Sequence, residues 1–342
     1  MKPTPLPIGV VLPTLNVRPS LPSHLAQLQT WAELVEEIIV VDSHSTDGTL
    51  ELIEEKLRHP RLRVLQCPPG LYEAWNYGIQ NVGARFTYIS TVGEMITGEG
   101  LRHLAATAEE LRSDVVISRP VFFDAQGRPA EGPRWPIHNL IEWHAVKHPA
   151  QVEPWRAFLL GVMDIPEGIL GSSASNLYRT ELLKRFPFPA EYGHAGDTAW
   201  AILHAFDCAL AVTPEVFSRF VLHPSAARSK SSGKRALTDR LFDLARQAAR
   251  EIPDGPANAP LKGLLHLLLT QLPAEIAELR ECKYLYDHAR RKAWPWVLNP
   301  AAWKVRRQRD RRQRRVRETK RKIRRQLAAP PAAGRGRARN TS

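Results

Sequence analysis

The sequence predicts an α/β fold with a mainly parallel central sheet, followed by a helical region and a basic tail. Three observations predict it. Short apolar runs alternate with helix-period segments through the first 125 residues. Polar clusters fall directly after the apolar runs, at Thr14–Asn16, Asp42–Asp47, Pro68–Tyr72 and Ser90–Glu94. Past residue 225 the pattern turns helical, and the last stretch is dense in Arg and Lys.

Each element has its own signal. Ile8–Leu12 reads as a buried strand closed by Pro13. Leu25, Leu28, Ala32 and Val35 are spaced for one face of a helix. Ile38–Val41 is a second buried strand. Ser45 or Thr46 then caps a helix burying Leu50, Ile53 and Leu57. Arg63–Gln66 is a third strand, Tyr72–Val82 a helix and Phe86–Ser90 a fourth strand. An amphipathic helix over Leu101–Leu111 leads into the strand Val115–Ser118. Beyond it come a hairpin over Val121–Arg128, a strand over Ile169–Tyr178, and helices over Thr180–Phe186 and Asp197–Phe206. Ser225–Ala236 reads as a flexible loop, and Leu237–Glu251 and Leu261–Ala289 as helices. Residues 303–327 read as a basic helix or a disordered arm. These segments group into residues 1–225, a helical extension over 226–300 and a basic tail over 301–342.

Composition removes several function classes. Cys67, Cys208 and Cys282 are scattered, so neither a disulfide framework nor a zinc cluster is expected. The apolar run Leu264–Leu272 stops at Pro273 and is too short to span a bilayer. A cytoplasmic chain, peripheral at most on the inner face of the cell membrane, is expected. The net charge of +13 is local. Residues 301–342 hold 17 Lys and Arg against Asp310 and Glu318, a tail of +15 that leaves −2 on the rest. Tryptophans at 294, 296 and 303 flank this run. Aromatics beside a polybasic segment suit an anionic membrane surface, here through residues 293–327, better than nucleic acid. The first strand runs into Pro13–Asn16 rather than a GxGxxG turn, which excludes an NAD-type dehydrogenase.

Four segments, in order, resemble glycosyltransferase family 2. They are VVLPTLN at Val10–Asn16, IIVVDSHSTDGT at Ile38–Thr49, GLYEAWNYGI at Gly70–Ile79 and YISTVGEMIT at Tyr88–Thr97. The resemblance implies a GT-A nucleotide-sugar-binding domain and an inverting glycosyltransferase. The expected donor is a UDP-sugar, and the expected acceptor a glycan or lipid-linked chain. Pro13, Thr14 and Asn16 would line the nucleotide, and Asp42 would hold the base. Ser45 and Asp47 would shape the loop. Gly70 and Tyr72 would approach the donor, with Asn76 fixing the helix that follows. Plain packing is the competing reading for Ala74, Trp75, Tyr77 and Gly78.

Two positions depart from the family pattern. The usual acidic pair at the end of the fourth strand is Gly93–Glu94, so Glu94 alone would hold Mn²⁺ or Mg²⁺, with His223 as a further ligand. In YGHAGDTAWAILHA, Asp197 matches the catalytic base, and Gly196 replaces the first acid. The competing reading makes Asp197 a helix N-cap. Arg228 and Lys230, with Lys234 and Arg235, would help neutralise the departing diphosphate. The tryptophans Trp135, Trp143 and Trp155 suit either an acceptor-facing surface or the core. Two alternatives to an enzyme remain: a non-catalytic nucleotide-sugar-binding module, and a nucleic-acid-binding protein acting through the tail.

Overall fold

The computed structural model describes residues 4–222, 231–252, 255, 259–292 and 300–328. Contacts divide the chain into two compact units, Met1–Leu261 and Lys262–Ser342.

The first unit is an α/β domain. Its opening half runs β1 (Leu6–Thr14), α1 (Leu21–Gln29), β2 (Val35–Asp42), α2 (Thr49–Lys56), β3 (Leu62–Gln66), α3 (Leu71–Gln80), β4 (Phe86–Ile89), β5 (Glu94–Ile96), α4 (Gly98–Glu110) and β6 (Val115–Ile117). The chain continues through β7 (Val121–Phe123), α5 (Pro136–Trp143), β8 (Ala150–Val152), α6 (Pro154–Met163), β9 (Asn176–Arg179), α7 (Thr180–Arg185), α8 (Gly196–Leu203), β10 (Leu210–Val212), β11 (Ser218–Val221) and α9 (Ser231–Arg250). The larger sheet has the order β3-β2-β1-β4-β9-β6-β10-β8. The pairs among β1 to β4 are parallel, and β9 lies antiparallel between β4 and β6. A smaller sheet, β5-β11-β7, stands beside it.

The apolar runs explain this arrangement. Ile8, Val10, Val11 and Leu12 on β1, and Ile38 to Val41 on β2, have no exposed surface. Strands buried on both faces are continuously apolar, as central parallel strands must be. Each such side chain contributes about 1.5–3 kcal/mol on burial. Helix α3 seats closely because of Gly78, where a Cβ would lie 2.5 Å from Val11 and 2.9 Å from Val41. Glu37, inside the apolar β2 run, is buried and satisfied by the amides of Gly83 and Ala84 and by Arg63.

Several expected elements take a different form. Helix α1 stops at Gln29, and Val35 begins β2. Thr30 and Trp31 turn the chain there, and Trp31 anchors the turn through its indole N–H to the Ile96 carbonyl. The α2 cap is Gly48, in the left-handed region at φ 84°, not Ser45 or Thr46. The Val121–Arg128 hairpin closes through one antiparallel bridge, Phe123 to Pro129, while the main pairing of β7 is parallel, with β11. The Ile169–Tyr178 strand shrinks to Asn176–Arg179 behind a 3₁₀ turn at Ser173–Ser175. Of the expected loop over residues 225–236, the part from Ser231 onward is helical in α9.

The second unit is helical. A stretch continuing from α10 (Ala259–His266) leads through a π-helical segment, Leu267–Gln271, into α11 (Leu272–Lys292). Helix α12 (Pro300–Ala328) carries the basic run, so residues 303–327 are a helix and not a disordered arm. Among the described residues no helix is long and apolar enough to cross a membrane.

Candidate active site at the carboxyl edge of the sheet

Parallel register places Thr14 opposite Asp42, and Asp42 opposite Gln66, at the carboxyl ends of β1, β2 and β3. Ligands of open α/β sheets bind at that edge. Asp42 is fully buried. Its carboxylate accepts from Thr14 Oγ1 at 2.9 Å, Ser45 N at 2.8 Å and Ser45 Oγ at 2.6 Å. A buried carboxylate is tolerated because these donors replace water. Asp42 therefore organises the loop as well as facing the edge.

The two flanking loops are stitched together. Asn16, held at φ 51°, accepts from the Thr46 amide at 2.8 Å and donates its own amide N–H to Ser45 Oγ. Asp47 accepts from the Arg18 amide at 3.0 Å and from Thr49 Oγ1 at 2.6 Å. The Thr49 bond leads in holding the Asp47 carboxyl below its ordinary range. The Arg18 guanidinium reaches the Gly48 carbonyl at 3.1 Å. A Cβ on Gly48 would collide with that group, so this glycine serves both backbone conformation and space. Pro13 is half-buried on β1 beside this seam. Arg18 and Thr49 gave no signal in sequence, since their partners lie about 30 residues away.

Gly70 begins α3 and leads to Tyr72, which is buried against Trp75 and Phe188, with ring centroids 5.0 and 5.6 Å away. The Tyr72 hydroxyl donates to the His194 carbonyl at 3.5 Å, close enough to Asp197 to lower its carboxyl. Asn76 has both ends of its amide on the Phe188 backbone, at 2.8 and 2.9 Å. Tyr72 and Asn76 thus hold α3 to the 188–197 segment, where sequence reasoning aimed Tyr72 at the donor. Trp75 is core, and Tyr77 is a surface residue.

Two acids lie within electrostatic reach of each other. Glu94 opens β5 after Gly93, which turns at φ 95°. Its Oε2 accepts from Ser172 Oγ, Ser173 Oγ and the Ala174 amide. Burial pushes the Glu94 carboxyl up, and the Asp197 charge adds to the rise. Asp197 sits in the first turn of α8, whose cap residue is Ala195, so the N-cap reading fails. Burial also pushes the Asp197 carboxyl above its ordinary range, against the Tyr72 and Thr198 hydrogen bonds that lower it. Gly196 has a steric reason: a Cβ there would lie 2.5 Å from the Tyr72 ring and 2.8 Å from the Pro189 carbonyl. The first acid of the family pair has no room in this chain. Ser172 and Ser173 were missed in sequence because no spacing links them to Glu94.

The described residues do not by themselves make a cation site. A hard cation needs several oxygen ligands. Here one Glu94 oxygen is committed to three protein donors. No group of three or more His, Cys, Asp or Glu suited to a metal occurs among the described residues. His223, Arg228 and Lys230 lie outside them, as do the side chains of Lys234 and Arg235. Trp135 and Trp155 are buried; Trp135 packs on Phe122 and Phe220 within the smaller sheet.

The fold is that of a GT-A-type domain, with the candidate site at the carboxyl edge of its sheet. Residues 9–164 match the family model described as "Glycosyl transferase family 2", which marks that stretch as a glycosyltransferase domain. Solved structures of S. aureus TarS share the fold. TarS 1-349 in complex with UDP aligns at a TM-score of 0.53 with 19% identity, covering 92% of this chain and 91% of that one. The complex with UDP-GlcNAc aligns at 0.53 with 18% identity and the same coverage. A longer TarS structure aligns at 0.52 with 19% identity, over 91% of this chain and 55% of its own. No curated protein matches by sequence.

Proposed function

We propose that the protein transfers a sugar from a UDP-sugar to a glycan or lipid-linked acceptor by single displacement with inversion. Asp197 is the base in this reading. The acceptor hydroxyl attacks the anomeric carbon, Asp197 takes its proton, and the bond from that carbon to the diphosphate oxygen breaks. The nucleoside diphosphate leaves. One observation carries the reading. Asp197 is a carboxyl raised by burial in the first turn of α8, next to Tyr72 and within electrostatic reach of Glu94, in a chain whose residues 9–164 match the family 2 model. A raised carboxyl is the better proton acceptor.

Thr14, Asn16, Asp42, Ser45 and Asp47 form the proposed donor seam, with UDP suggested by the TarS complexes. Arg228 and Lys230 are the proposed counter-charges to the leaving diphosphate, and the acceptor is proposed to be met at an anionic membrane surface. No step is drawn through a metal. The glycines at 93 and 196 favour a second reading, a module that binds the donor without turning it over. Donor turnover by Asp197→Asn, measured beside UDP binding, tests both. The transferase reading expects binding kept and turnover lost. Turnover equal to wild type would remove Asp197 as the base, and no turnover by the wild type with any nucleotide sugar would favour the module.

A further inference from the structure

Helices α11 and α12 pack as an antiparallel pair. Gln271 meets Thr319, Glu278 meets Arg312, and Tyr286 lies under Arg309 at 4.2 Å, so partners descend along α12 as they rise along α11. The inward positions of α12 are Val305, Arg309, Arg312, Val316, Thr319 and Ile323. They recur at four and three, the seam spacing of a coiled coil. Leu268, Leu272, Glu275, Leu279, Cys282 and Tyr286 follow the same spacing on the facing strip.

Packing one strip inward leaves the opposite strip outward. On α12 that strip holds Arg307, Arg311, Arg314, Arg321 and Arg325, all exposed, with Glu318 as its acid. Across the whole outer face eleven Lys and Arg are exposed between Lys304 and Arg325. That stretch is about 32 Å long. The other acid, Asp310, is paired with Arg309 at 2.7 Å. Trp303, one turn before Arg307 on the same strip, is 47% exposed.

We infer that the outer face of α12 docks on a bilayer containing anionic phospholipid. The cations lie along a straight, rigid strip, so they meet a planar charged surface together. Exposed Trp303, at one end of the same strip, gains by entering the headgroup and acyl boundary. A duplex offers phosphates but no apolar layer at its surface for Trp303 to enter. The inference names the surface behind the membrane-facing acceptor proposed above, yet its test needs no turnover and so fails or stands independently of that reading.

The test is flotation of the full chain with phosphatidylcholine vesicles, with and without phosphatidylglycerol. Binding is expected only with phosphatidylglycerol, and it should weaken as salt rises. Each cation at such a surface is worth about a fivefold change. Arg307→Glu, Arg314→Glu and Arg321→Glu together should therefore lower partitioning by at least about a hundredfold. None of the three faces α11, so helix content by circular dichroism should hold. Trp303→Ala should weaken binding most at high salt, where the apolar contribution remains. Arg102→Glu, an exposed change on α4, should leave binding as in wild type. Equal binding to both vesicle types, or an unaffected triple variant, would overturn the inference. So would displacement from the vesicles by an RNA duplex at matched phosphate.

Discussion

The two sides of the candidate site are built in opposite ways. The seam between residues 14–18 and 42–49 is dense with hydrogen bonds, and its buried carboxylate is surrounded by donors. On the acid side Glu94 and Asp197 also meet donors, from Ser172, Ser173, Ala174 and Thr198, yet burial outweighs them and raises both carboxyls. On one side the donors hold the carboxylates in fixed geometry; on the other burial is the stronger influence, as the proposed proton transfer requires.

That contrast can be broken from either side. Asp197→Asn should cost the most, lowering transfer by about a thousandfold through loss of the base, while UDP binding stays within a few fold. Paired rate and calorimetric measurements check this. Asp42→Ala should do the reverse. It strands the Thr14 and Ser45 donors, costs about 2–4 kcal/mol of stability and abolishes UDP binding. The urea midpoint reads the stability part.

Acid titration sharpens the contrast. His24, buried on α1 with its Nε2 on Ser90, has its pKa lowered from 6.5 to about 4 by burial. The unfolded chain takes that proton first as pH falls. Stability is therefore full above pH 6.5 and drops by about 3 kcal/mol on the way to about 4. His24→Gln should remove that slope from unfolding curves. Asp197 shifts the other way. Its raised carboxyl favours the folded state at low pH and loses that contribution as pH rises through the folded value. The rate, which needs the ionised form, should have its acid limb above the ordinary carboxylate range, and a pH–rate profile reads it. Smallest is Gly196→Ala, which presses on the Tyr72 ring and should cost about 1–3 kcal/mol in a thermal melt.

The parallel half of the sheet was legible because β1 and β2 are unbroken apolar runs ended by polar residues. The smaller sheet was not. β5, β7 and β11 are three or four residues each, and β7 pairs in parallel with β11 about 100 residues later. No local period encodes such a pairing. Asp42 was visible as chemistry because an acid directly after a buried run demands a reason, and Glu94 and Asp197 through the resemblance of their segments to the family. Their partners were not, since Ser172 reaches Glu94 across 78 residues and Tyr72 reaches Asp197 across more. The basic helix showed its charge in sequence, but its packed strip emerged only against α11.

The most direct measurement is UDP calorimetry on wild type and Asp42→Asn, a substitution that keeps one acceptor for the Thr14 and Ser45 donors. A donor seam at this edge predicts micromolar UDP binding by the wild type, weakened at least about tenfold in the variant with the fold intact. Absence of UDP binding by the wild type, or equal binding by both proteins, would contradict it.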